Sequence, residues 1–363
     1  MTVLCALLRM IAATCLLMAP AYAQDVRVGA ILPMTGDASS YGDWMQKGMS
    51  IAVDEINSKW KDRKLVLIIE DSKSNPKDAV TAMNKLLTVD KVPTVMTTLT
   101  GVTNALAPIA DRNKIVLTTS ATLPGITEQS PYLFRNATNL SSEINRLVAL
   151  TKQKYKRPAV LWANLEWAKW GKTAYVDALA KAGIQVVSDQ SFPADSTDLR
   201  AQLTRIRAAQ PDVVLVLAYK TTGVALKQAR ELGLDAQFIG TLDFELPEVV
   251  GIAKEAADGA IYTKASFDPD QPASAAMRAY ATEYRKRFGA APEVYSATMY
   301  DMLHMLADAA GASSEPDKIR DALLKVKDFP GASGVTTFLP NRDVEKPVEL
   351  KTIKDGKYVP YQP

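Results

Sequence analysis

Apolar positions along this chain switch repeatedly between two spacings. Residues 26–33 form a short, nearly continuous apolar run, and the helical face Met45, Met49, Ala52, Val53 and Ile56 follows it. The next pair is an apolar run at 65–69 and a helical set of Ala79, Ala82, Met83, Leu86 and Leu87. Runs at 93–98 and 115–119 flank a further helix around 104–112. Short apolar runs alternating with helices predict a parallel sheet covered on both faces. The pattern then restarts. Strands are expected at 159–163, 184–188, 213–218 and 237–240, separated by helices that carry Tyr175, Ala178 and Leu179, then Leu199, Leu203 and Ile206, then Leu226, Ala229 and Leu232. Two βα series of similar length predict two doubly wound sheets with no flexible linker between them.

The last third changes character. Long helices are expected over 272–288 and 293–311 and a shorter one over 318–327, while 348–359 alternates like a hairpin turning at Asp355-Gly356. These elements must return to the sheets, because alone they would expose their apolar faces.

The first 23 residues read as a leader rather than as part of the fold. Arg9 precedes an apolar run from Met10 to Ala19, and Ala21-Tyr22-Ala23 has the small-x-small form of a cleavage site. The run is too short for a membrane span, which needs about 20 residues. Both cysteines, Cys5 and Cys15, fall inside this leader, so the mature chain is expected to carry no thiol. That excludes disulfides, cysteine-ligated metals and a cysteine nucleophile. Ala12-Ala13-Thr14 before Cys15 lacks the large aliphatic residue of a lipid-attachment site. With 43 Lys and Arg against 40 Asp and Glu, the chain has no electrostatic footprint for nucleic acid or anionic membrane. No second apolar run approaches spanning length, and 363 residues suggest two domains.

Enzymatic groups are missing from the pattern. The one histidine, His304, sits within an apolar helical stretch and reads as a packing residue. The first strand opens into Pro33-Met34-Thr35-Gly36, which is neither a dinucleotide fingerprint nor a phosphate loop. No catalytic constellation and no cofactor or metal site is expected, and the chain reads as a binder rather than an enzyme.

The loops expected after the strands share a composition. Thr35, Gly36, Ser39, Ser40 and Tyr41 follow the first strand, Thr97 to Gly101 the third, and Thr118 to Thr122 the fourth. In the second series Trp167 and Trp170 follow one strand, Tyr219 another, and Thr241-Leu242-Asp243-Phe244-Glu245 a third. Hydroxyls and backbone N–H groups at helix N-termini suit an anion such as a carboxylate, although the same residues also cap helices. Trp167 and Trp170 are placed in a polar loop before Gly171, where rings line a cleft more readily than they pack a core.

At these residues the chain resembles the type I periplasmic solute-binding proteins, specifically the branched-chain amino-acid-binding family of ABC importers. The likeness runs through Gly29 to Gly36 with Tyr41-Gly42, the stretch 48–57 ending in Asp54-Glu55-Ile56-Asn57, Asp71 with Asn75-Pro76, and Thr100-Gly101-Val102-Thr103. It continues through Ser120-Ala121-Thr122, Trp170-Gly171, Tyr219 and the stretch from Tyr295 to Tyr300-Asp301. It implies an N-terminal lobe of 24–136 plus 267–335 and a C-terminal lobe of 137–266 plus 336–363, joined by three hinge crossovers near Asn136, Ala265 and Val335. It also implies a ligand held between the lobes, with Thr100, Gly101, Ser120, Ala121 and Thr122 on its carboxylate and Tyr41, Trp170 and Tyr219 flanking it. Leu99 stands where relatives place a serine. The family's acidic residue for a ligand ammonium aligns with Leu242, and Asp243 comes one residue late. A buried ammonium without a carboxylate partner is costly, so that offset leaves open an amino acid or another small acid, including an aromatic one. The resemblance further implies a monomeric periplasmic receptor that serves an ABC permease, with docking to a sensor as the alternative.

Overall fold

The computed structural model describes residues 25–362, so the expected leader and both cysteines lie outside the described residues. Five parallel strands form the first sheet: β1 (Val26–Leu32), β2 (Leu65–Asp71), β3 (Thr94–Thr97), β4 (Val116–Thr119) and β5 (Leu133–Arg135), in the order β2-β1-β3-β4-β5. Helices α1 (Ser39–Lys59), α2 (Pro76–Thr88) and α3 (Thr100–Asn113) connect them. α2 starts where Asn75 accepts a hydrogen bond from the Lys77 N–H and Pro76 presets the first turn. Ala79, Ala82, Met83 and Leu86 then fall on one face and pack with Val102 and Leu106 of α3 against one side of the sheet. The spacing that predicted a helix there is the spacing that buries it.

In the second sheet, β6 (Pro158–Ala163), β7 (Ser188–Phe192), β8 (Val213–Leu217), β9 (Gln237–Gly240) and β10 (Ile261–Ala265) run parallel. α4 (Leu140–Lys154) and α5 (Glu166–Lys181) cover one face, while α6 (Arg200–Ala208) and α7 (Thr221–Glu231) cover the other. α8 (Pro247–Ala253) follows β9, and α9 (Ala275–Phe288), α10 (Val294–Ala312) and α11 (Pro316–Leu323) follow β10. A small ribbon, β11 (Phe329–Gly331) with β12 (Gly334–Thr336), precedes β13 (Val348–Lys354) and β14 (Lys357–Pro360). The last two form the expected hairpin, turning at Asp355 and Gly356 with φ of 51° and 68°, and add antiparallel strands beside β10.

Two expectations are corrected. The strand placed at 184–188 begins four residues later, at Ser188. Ile184 and Val186 pack beneath α5 instead of pairing, and the first ladder contact is the Val187 N–H to the Pro158 carbonyl at 2.8 Å. The third crossover also falls later than Val335. Phe338 stacks edge-on against Phe134 of β5, and Asp343 pairs with Arg135, so the chain stays on the first sheet through Asp343. A buried arginine there needs its carboxylate close by, and this holds the segment.

α1 and α10 cross on the other face of the first sheet at Gly48. A Cβ built there would lie 2.1 Å from the Ser296 carbonyl oxygen and 2.9 Å from the Tyr280 hydroxyl. Gly48→Ala is therefore expected to lower stability by about 1–3 kcal/mol through overpacking, measured by urea denaturation. A change below the error of that measurement would mean the helices part without cost.

Candidate functional site

In both sheets the loops after the carboxyl ends of the strands face one another, the usual place for a ligand in open α/β sheets. Between them lies a cleft of about 480 Å³. The first sheet contributes Tyr41 from α1, Thr98, Leu99 and Thr100 from the β3–α3 junction, and Ser120, Ala121 and Thr122 after β4. From the second come Leu140 and Glu143 of α4, Trp167 of α5, Tyr219 after β8 and Thr241, Leu242 and Asp243 after β9; Tyr295 of α10 completes the wall.

The two sides touch. Tyr41 donates to Asp243 across the cleft at 2.8 Å, and Ser40 donates to Glu248 at 2.7 Å. Lys220 meets Asp37 at 2.6 Å, Asn104 donates to Glu166 at 2.6 Å, and the Leu140 N–H reaches the Thr122 carbonyl at 2.8 Å. These contacts make the arrangement a closed one.

Each wall has its own chemistry. On the first, α3 begins at Thr100 and aims its first N–H groups at the cleft, where they lack intrahelical acceptors. Leu99, just before it, holds φ at 63°, a strained conformation for a side-chain-bearing residue and one that turns the chain sharply into the helix. Ser120 donates to Thr98 at 2.9 Å, which ties the two hydroxyl loops together. Opposite them, the indole of Trp167 packs on Tyr219 with centroids 5.3 Å apart, and its buried Nε1 lies beside the Tyr219 hydroxyl.

Asp243 sits on a 3₁₀ turn, Leu242–Glu245, that brings both Leu242 and Asp243 into the lining. Its carboxylate accepts from Thr241 at 2.5 Å as well as from Tyr41. Burial pushes its pKa up to about 6, against hydrogen bonds that pull the other way. Glu143, in the first turn of α4, accepts from Thr138 at 2.7 Å and from Thr263 at 3.3 Å, and burial raises it to about 7. Tyr41, Tyr219 and Tyr295 are raised above the ordinary phenol range, also by burial. Among the described residues, no lysine, arginine or histidine lines the cleft. His304 lies on α10 with its Nε2 3.3 Å from Glu55, outside the lining.

Of the residues expected at the site, Tyr41, Leu99, Thr100, Ser120, Ala121, Thr122, Trp167, Tyr219, Leu242 and Asp243 meet in this lining, whereas Gly101 and Trp170 do not. Gly101 was expected to offer its backbone, and it stands second in α3, whose N-terminus meets the cleft at Thr100. Trp167 and Trp170 stand on a helix rather than in a loop, because α5 starts at Glu166. Three residues of helical rise, about 4.5 Å, carry Trp170 away from the cleft end. Thr98, Leu140, Glu143, Thr241 and Tyr295 were not among the expected contacts. Thr98 and Thr241 belong to loops whose composition already marked them, while Glu143 carried no such mark.

The described residues contain no group of three or more potential metal-ligating side chains and no helix long and apolar enough to cross a membrane. Relatives share the architecture. A Leu/Ile/Val-binding protein of Rhizobium johnstonii is 30% identical over 336 residues, covering 88% of this chain and 89% of the relative. The branched-chain amino-acid-binding protein of Streptococcus pneumoniae, solved with isoleucine, superposes with a TM-score of 0.85 at 28% identity over 92% of this chain and 97% of that one. A solute-binding protein of Rhodopseudomonas palustris in complex with 4-hydroxybenzoate gives 0.83 at 21% identity over 94% and 96%, a likeness of fold. The periplasmic binding protein family profile matches residues 25–357, and this chain belongs to that family as a type I member akin to the Leu/Ile/Val-binding proteins.

Proposed function

We propose that this protein is a periplasmic receptor that closes around a small α-amino acid and presents it to an ABC permease. The observation that carries this reading is Asp243, a buried carboxylate at the cleft with no cation in the lining to balance it. A ligand ammonium supplies that balance. The ligand carboxylate then lies against the α3 N-terminus, Ser120 and Thr122. The 3₁₀ turn after β9, which brings both Leu242 and Asp243 into the lining, supports Asp243 in that role despite the one-residue offset. An aromatic acid would find rings in Tyr41, Trp167, Tyr219 and Tyr295. It would also bring a further negative charge into a wall that already holds Asp243 and Glu143, and this disfavours it.

A thermal-shift comparison tests the choice, because a ligand bound only by the folded state raises the melting temperature. Zwitterionic amino acids are expected to shift it and benzoate or 4-hydroxybenzoate to leave it unmoved; the reverse pattern would assign the cleft to aromatic acids. Thr122→Ala is expected to weaken the amino acid by about 1–3 kcal/mol through one lost charge-assisted hydrogen bond. Unchanged affinity in calorimetry would remove Thr122 from the site.

A further inference from the structure

Asp243 suffices for one ammonium, so the cleft holds a carboxylate too many. Glu143 is 4% exposed, and each of its oxygens accepts a single hydroxyl hydrogen bond, from Thr138 and from Thr263. An ionised carboxylate accepts about four such bonds, so acceptor capacity is left over. Glu143 also lines a second chamber, of about 360 Å³, that shares Glu143, Leu242 and Tyr295 with the cleft and runs behind it toward the crossover segments at Ala265 and Lys346. Glu143 therefore stands where the cleft meets the second chamber. Lys346, on the chamber's other wall, is held by the Thr336 hydroxyl at 2.8 Å and the Val335 carbonyl at 3.3 Å. Its charge is felt by Asp301 rather than by Glu143.

We propose that Glu143 selects the ligand: the preferred guest is an α-amino acid whose side chain ends in a second protonated nitrogen, which Glu143 receives at the mouth of the hinge-side chamber. The proposal rests on the amino-acid reading of the cleft and refines it. A neutral amino acid closed into this site leaves Glu143 either ionised without a cation or carrying a proton. A diamino acid supplies the missing charge at the place where that acceptor capacity lies. Burial holds part of the Glu143 population protonated near neutral pH, so the two ligand types differ in their proton balance. Binding of a diamino acid expels the Glu143 proton to solvent, and binding of a neutral one does not.

The full mature chain is titrated calorimetrically at pH 7 with L-lysine, L-ornithine, L-leucine and benzoate, in two buffers of different ionisation enthalpy. The expected result is that lysine or ornithine binds about tenfold or more tightly than leucine and releases protons. Glu143→Gln should weaken the diamino acids about tenfold while leaving leucine within about threefold, as loss of one charge-assisted contact predicts. If leucine binds tightest and Glu143→Gln leaves the lysine-to-leucine ratio unchanged, the proposal is overturned while the amino-acid reading survives. Equal proton exchange with lysine and leucine also overturns it. If benzoate alone binds, or nothing does, the amino-acid reading fails and the proposal falls with it.

Discussion

An Asp343→Ala variant is expected to lose about 3–5 kcal/mol of stability, the cost of leaving a buried charge without its partner. Arg135, at the end of β5, is fully buried, and its Nε donates to Asp343 Oδ1 at 2.7 Å while a second guanidinium nitrogen pairs with Oδ2. The remaining nitrogen donates to the Leu123 carbonyl at 2.8 Å, and the Arg135 backbone N–H reaches the Arg342 carbonyl at 3.0 Å. The fork thus fastens the final connecting segment to the last strand of the first sheet, just before the chain crosses to β13. Removing the arginine together with its partner should be far gentler. An Arg135→Met, Asp343→Leu double variant is expected to regain most of the loss, since apolar groups of similar volume need no pairing. Denaturant melts of the two variants check this. A double variant as unstable as Asp343→Ala would show that the segment depends on the ion pair for its geometry rather than on charge compensation alone.

That staple marks one limit of what the sequence discloses. The βα alternation was legible because parallel strands buried on both faces must be nearly continuous apolar runs, as Val213–Leu217 is throughout. β5 was not, since three residues ending in an arginine carry no such run. β7 was misplaced because an edge strand with alternating exposure, Ser188–Phe192, lies beside a more apolar stretch that packs without pairing. The cleft followed the same logic. Loops after strands are local in sequence, so their threonines, serines and Tyr219 declared themselves. Glu143 acquires its place from the rotation of α4 after the first crossing, and Trp167 rather than Trp170 from where α5 begins. Both depend on helix register set by tertiary packing. The 3₁₀ turn that brings Asp243 into the lining beside Leu242 is likewise invisible to a residue-by-residue alignment.

Asp243→Asn is expected to weaken an amino-acid ligand by about 2–5 kcal/mol, because the ligand ammonium is then buried opposite a neutral amide. The pH dependence gives this loss a signature. Asp243 holds its proton more tightly in the folded protein, with a pKa of about 6 against an ordinary 3.8. Between those values the folded state binds more protons than the unfolded chain, so this group's contribution makes the ligand-free protein less stable as pH rises through that window. Ligand affinity should run the other way. The ammonium needs the ionised carboxylate, so binding weakens about tenfold per pH unit below about pH 6 and levels off above it. The groups facing Asp243 are Tyr41, Tyr219, Tyr295 and Glu143, and no lysine, arginine or histidine lines the cleft. The phenols stay un-ionised throughout, and Glu143, at about 7, adds the one other titrating step. Asp243→Asn should therefore flatten the lower part of both profiles, in stability and in affinity together. Calorimetry at pH 5, 6 and 7.5 separates the readings: affinity that climbs as the solution is acidified means the site prefers a neutral carboxyl at position 243, and its guest is then an anion without an amino group.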